Sequence, residues 1–198
     1  MLLVVVLGAC SPGSGGEDTP GSGPGPVDEV AAVDGPPCPP RLPQAEDGTS
    51  GFGTTEPAAS TPDLAGADRA WTCSYRAVEG HRSSVGAVYR WERQGAPTTV
   101  PEARLVRVDR ALAALRPVKA TRACTADLGP RHLLVLAHEG DLTAVAVDDF
   151  GCDDVRLSDD PSTTAPGEGR GEGEGEHGRA VPGVLAGGGE LLDALGLG

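Results

Sequence analysis

Glycine and proline crowd the two ends of this chain and leave its middle comparatively free, which confines any packed core to one central stretch. With 30 Gly and 18 Pro among 198 residues, about a quarter of the chain resists regular structure, the edge of low-complexity composition. Hydrophobic residues make up 38% and aromatic residues 3%, so one domain of roughly 100 to 150 residues is the largest fold to expect. A large multidomain enzyme, a collagen, a coiled coil and a polytopic membrane protein are all excluded on these grounds. The expected layout is residues 1–9 as the end of a signal peptide, 10–35 as a disordered acidic tether, and 36–160 as a folded head. Residues 161–180 follow as a disordered Gly/Glu linker, and 181–198 as a short helical segment.

Residues 2–7 are an unbroken apolar run followed by Gly8, Ala9 and Cys10. The run is far short of the roughly 20 residues that span a bilayer, and small residues after it suit the cleavage region of a signal peptide. Leu7-Gly8-Ala9-Cys10 resembles the lipobox of bacterial lipoproteins, although no Lys or Arg follows Met1. The resemblance implies that Cys10 becomes the first mature residue and carries acyl chains, palmitate among them. It also implies a protein anchored in membrane lipid on the extracellular face of the cell membrane. Several chains at about 0.8 kcal/mol per buried methylene make such attachment stable. From Ser11 to Pro40 there is no Lys or Arg, while Glu17, Asp18, Asp28, Glu29 and Asp34 accumulate. Like charges extend such a tether.

With Cys10 assigned to lipid, Cys38, Cys73, Cys124 and Cys152 remain, an even number that an oxidising compartment would turn into two disulfides. The apolar runs 133–137 and 142–147 flank Glu139-Gly140 and read as a hairpin with Cys124 and Cys152 near its open end. The expected pairs are therefore Cys124 with Cys152 and Cys38 with Cys73. A zinc site is the rival, but the cysteines are scattered and form no C-x-x-C pair.

Within the head, Trp71, Cys73 and Tyr75 alternate with Thr72, Ser74 and Arg76, and Ala87, Tyr89 and Trp91 alternate with Val88, Arg90 and Glu92, the period of half-buried strands. A polar stretch containing Gly80 separates the two, so they should pair antiparallel. Their aromatics are expected to be core, the alternative being a platform for a sugar ring. Pro101 and Glu102 open a helix marked by Leu105, Val108, Leu112 and Leu115 and closed by Pro117. Arg104, Arg107 and Arg110 make a basic edge on it, read as a solvated face. A short strand is expected at 155–157. The fold class that follows is α+β: a small antiparallel sheet with one main helix packed on one face, disulfide-stapled, with disordered flanks.

Cys38-Pro39, Cys73-Ser74-Tyr75-Arg76, Cys124 with Asp127 and Gly129, and Gly151-Cys152 with Val155 resemble a pattern in uncharacterised lipoproteins of high-GC Gram-positive (actinobacterial) bacteria. The resemblance covers residues 36–160 and brings no catalytic residue with it.

No G-x-S-x-G elbow, phosphate loop or H-E-x-x-H is present. The histidines are His81, His132, His138 and His177. His132 and His138 fall at opposite ends of one expected strand, roughly 20 Å apart at strand rise, and read as surface or strand-end residues. The formal charge of −13 disfavours nucleic acid as a partner. Asp148, Asp149, Asp153 and Asp154 bracket Gly151-Cys152. They are candidates for Ca²⁺, with a solvated strand end as the plainer reading, since their spacing is not that of an EF-hand. Residues 190–195 make a short helix expected to dock on the head. No cofactor or catalytic residue is assigned. The expected role is a non-catalytic binding or interaction module meeting an envelope protein or wall polymer. The alternative is an envelope enzyme acting on wall glycan or peptide through acidic residues near Cys152.

Overall fold

In a computed structural model, the structure describes residues 28–32, 35–45, 51–83, 86–125, 127–169 and 179–198, without the side chains of Ala32 and 81–87. The lipobox-like stretch ending in Cys10, most of the acidic tether, most of the Gly/Glu repeat and His177 lie outside the described residues, as does the side chain of His81.

Seven strands form one sheet. In chain order the elements are α1 (Glu29–Ala32), β1 (Arg69–Ser83), β2 (Gly86–Thr99), α2 (Glu102–Ala113), β3 (Arg116–Pro117), β4 (Arg131–His138), β5 (Asp141–Asp148), β6 (Val155–Ser158), β7 (Val184–Ala186) and α3 (Gly188–Leu195). The sheet order is β2-β1-β4-β5-β6-β7-β3, and every pairing is antiparallel. This is the small disulfide-stapled α+β fold expected from the sequence.

The centre of the sheet is the hairpin of β4 and β5, whose apolar runs are buried on both faces from Arg131 to His138 and from Leu142 to Asp148. Its two-residue turn has Glu139 at φ 53° and Gly140 at φ 95°. That is the left-handed geometry whose twist matches a tight hairpin. β1 lies antiparallel beside β4 and puts Trp71, Cys73 and Tyr75 on one face with Leu133, Val135 and Ala137. Trp91 of β2 and the Cys38–Cys73 disulfide complete that core. Tyr75 and Trp91 are almost wholly buried, so these rings are core and no sugar-binding platform.

The opposite face carries Leu134, Leu136, Val145, Val147, Val155 and Leu157 beneath α2 and α3. α2 begins after Pro101, which sits in extended backbone, as a helix-opening proline should. α3 docks beside it through Leu191, Leu192 and Leu195, as expected of the short C-terminal helix, so the main helix shares its layer with a second member. Arg104 belongs to this joint. Its Nη1 donates to the Leu195 carbonyl at 2.5 Å, meeting the negative end of α3. The basic edge is thereby reduced to Arg107 and Arg110, both exposed.

Two more elements lie outside the stretch expected to fold. α1 falls within the tether and packs on the hairpin turn, where Glu29 accepts from the Leu142 amide at 2.9 Å and the Val30 amide reaches Gly140 at 3.1 Å. Burial raises the Glu29 carboxyl above its usual range, and the nearby Asp141 adds to the effect. β7 comes from beyond the Gly/Glu repeat and inserts between β6 and β3. A three-residue strand has too little periodicity to announce itself; its neighbours place it.

Gly188, at the start of α3, lies tight against the turn before β6 and against β5: a Cβ there would stand 2.0 Å from the Asp153 carbonyl oxygen and 2.9 Å from Val147. Gly188→Ala should therefore force α3 off the sheet and lower the urea midpoint markedly. Leu191→Ala should cost about 2–5 kcal/mol, the range for emptying a fully buried leucine site. Equilibrium denaturation followed by Trp fluorescence checks both.

Candidate functional site

Acidic residues close β5 and precede β6 on either side of the turn through Gly151, and strand register decides what those acids meet. Arg131 stands opposite Asp148 across β4 and β5, and Arg156 lies opposite Ala146 on β6. Both guanidiniums converge on Asp148. Arg131 Nε donates to its Oδ1 at 2.5 Å and Arg156 Nη1 to its Oδ2 at 2.7 Å. Arg156 Nη2 continues to Asp154 at 3.1 Å, and Arg122 closes the series with a two-pronged bridge to the same carboxylate. The remaining donors reach backbone: Arg131 to the Phe52 carbonyl at 3.0 Å and Arg156 Nε to the Thr54 carbonyl at 2.9 Å. Three guanidiniums and two carboxylates thus form one ladder with its bonds satisfied.

Above this ladder lies a cleft of about 640 Å³ between residues 52–57, 118–127 and 148–156. The Cys124–Cys152 disulfide sits in its wall. Phe150 in its lining stacks on Trp91, with ring centroids 5.6 Å apart and planes 8° from parallel, and Phe52, also in the lining, meets both edge-on. Arg131 lies over the other aromatic contact of the group, 4.3 Å from the Trp91 ring centre, the geometry of a cation–π pair. Burial by itself pulls the Arg131 guanidinium below its ordinary pKa, and the Asp148 charge opposes that pull. Lys119, Glu56 and Asp127 stand at the rim.

The four aspartates considered for Ca²⁺ do not converge. Asp148 and Asp154 have their oxygens committed to guanidiniums, Asp149 faces His132, and Asp153 packs against the start of α3. Among the described residues no group of three or more His, Cys, Asp or Glu is placed to hold a metal ion. Burial and the neighbouring Asp149, Asp154 and Glu190 push the Asp153 carboxyl upward.

His132 and His138 are buried, not surface residues. His138 approaches the Leu64 carbonyl at 3.3 Å. His132 lies across from Ser74 in the β1–β4 register, with Ser74 Oγ 3.0 Å from its Nδ1 and Asp149 Oδ2 3.5 Å from its Nε2. No spacing in the sequence announces this trio, since its members are brought together by strand pairing over 58 residues.

No family model, curated protein or solved structure matches this chain. Among the described residues no helix is long and apolar enough to cross a membrane.

Two outcomes are expected. Asp148→Ala leaves two buried guanidiniums without their shared partner and should cost about 3–5 kcal/mol, while Asp127→Ala at the exposed rim changes stability little; chemical denaturation compares them. Burial, followed by the Arg179 charge, lowers the His138 pKa below 6.5. The unfolded chain therefore binds the proton more readily. The His138 contribution is complete above about 6.5 and is lost as pH falls through the lower folded value. Stability curves of the natural chain and His138→Gln should differ in slope across that window and run parallel above it.

Proposed function

We propose that this protein is a lipid-anchored binding module of the cell envelope. It is attached to membrane lipid through acylated Cys10 on the extracellular face, and it holds a protein or wall polymer in the cleft beside Cys124–Cys152. The observation that carries this reading is the Arg–Asp ladder flooring the cleft. Because its carboxylates are already bonded to guanidiniums, it offers a surface ordered before any ligand arrives, which lowers the cost of binding. An enzyme working on glycan through acids near Cys152 needs carboxyls free to exchange protons across a gap. Asp148 and Asp154 are not free in that sense, so holding a ligand is the better reading of this cleft. Two disulfides favour an oxidising compartment, in keeping with export.

Intact mass spectrometry of protein extracted from its native membrane, before and after reduction, tests the address. The expected species begins at Cys10, carries added acyl mass, and gains four hydrogens on reduction. An unlipidated chain with free thiols would overturn the assignment. A photoreactive residue in place of Lys119 tests the cleft in the same membranes: a discrete cross-linked adduct is expected, and its absence would remove the cleft as the binding surface.

A further inference from the structure

We propose that Ser74, His132 and Asp149 form a nucleophilic serine site that accepts acyl groups from carboxylic esters. This goes beyond the binding role and concerns the other face of the sheet. Arg131 points to the ladder face while its neighbour His132 lies on the helix-bearing side with Leu134 and Leu136, as strand alternation requires.

The protonation pattern follows from the geometry. Asp149 Oδ2 stands 3.5 Å from His132 Nε2, and an ionised carboxylate is an acceptor only. The ring proton is therefore favoured on Nε2, which leaves Nδ1 bare. Ser74 Oγ is 3.0 Å from that bare nitrogen, so its hydroxyl donates to Nδ1 and its lone pairs turn outward. A serine with its proton held by a base, and the base oriented by a carboxylate, is the arrangement that nucleophilic catalysis needs. The ring nitrogens are exchanged relative to the familiar serine proteases, but either nitrogen is a competent base when the other carries the proton.

Burial adds a second, independent observation. His132 is 7% exposed, and its Nε2 is enclosed with no hydrogen bond as it stands. A buried donor left unbonded costs roughly 1–3 kcal/mol. The carboxylate that can satisfy it is within a small side-chain rotation and is itself 39% exposed. Such bonds are commonly long before substrate binds and tighten in the reacting complex. Ser74 is half-buried, and it sits where the β1–β2 register shifts between Thr72 and Ser74. Irregularities of this kind re-aim side chains and recur beside active sites.

The chemistry balances without a cofactor. Ser74 Oγ adds to the ester carbonyl carbon as its proton passes to His132 Nδ1, giving an imidazolium beside Asp149. The carbon–alkoxy bond then breaks, and the same proton leaves with the alcohol. Water repeats the sequence on the acyl-serine, releasing the carboxylic acid and returning the proton to Ser74.

The test is labelling of the full-length oxidised protein with a fluorophosphonate probe, followed by peptide mass spectrometry. One phosphonyl group on Ser74 is expected. Asp149→Asn, an isosteric change at a side chain 39% exposed, should slow labelling at least tenfold, and His132→Gln should abolish it, with circular dichroism unchanged in the former. A structural Ser–His contact would produce none of this. No adduct at Ser74, or an adduct formed no faster than in the urea-unfolded chain or no slower in Asp149→Asn, would overturn the proposal.

Discussion

The rest of this structure depends on the carboxylate of Asp148. It lies at the end of β5 and receives Arg131 from β4 and Arg156 from β6, so one buried anion ties the three central strands together. The same guanidiniums reach the carbonyls of Phe52 and Thr54 and draw the irregular 51–58 stretch over the sheet. Burying ions costs several kcal/mol each unless geometry and hydrogen bonds compensate. Here nearly every polar atom of the ladder has a partner, and the fifth member, Arg122, carries the compensation out to the segment that holds Cys124. The ladder is thus both the fastening of the central sheet and the floor of the cleft.

Around that fastening, the two faces of the sheet solve different problems. One face buries Trp71, Tyr75 and Trp91 with a disulfide, and Val30 of the four-residue α1 packs against the same cluster. The other is closed by two short helices that depend on each other, since α3 is only eight residues and would be marginal alone. Arg104 at its C-terminal carbonyl and Gly188 against Asp153 show how tightly it is seated. A chain poor in aromatic residues therefore closes its core with cross-links, a charge ladder and a returning C-terminal segment.

The long elements were legible in the sequence because each carries its own periodicity. β1, β2, α2 and the β4–β5 hairpin all stand where alternation, a helix-opening proline and a Glu-Gly turn put them. Both disulfide pairs stand as expected as well, since the hairpin brings its open end to Cys124 and Cys152. α1, β3 and β7 were not legible: two to four residues carry no period, and they are ordered by the neighbours they pair with. The acidic cluster near Cys152 reads from sequence as a Ca²⁺ candidate or a solvated strand end, and Asp148 fits neither, being buried between two guanidiniums. Asp148 and Asp149 are adjacent yet part company, Asp148 joining two guanidiniums while Asp149, just past the end of β5, comes to His132.

What the sequence determined by itself was therefore local: where strands and helix run and where glycine interrupts them, with the cysteine pairing favoured by the hairpin among three possible connectivities. Tertiary structure alone decided the partners of its charges. Arg131 and Arg156 meet Asp148, and Ser74 meets His132, through the register of antiparallel strands far apart in the chain. A shift of one residue would turn each of these side chains to the other face, and that register is set by the burial of the whole sheet, which no short stretch of sequence contains.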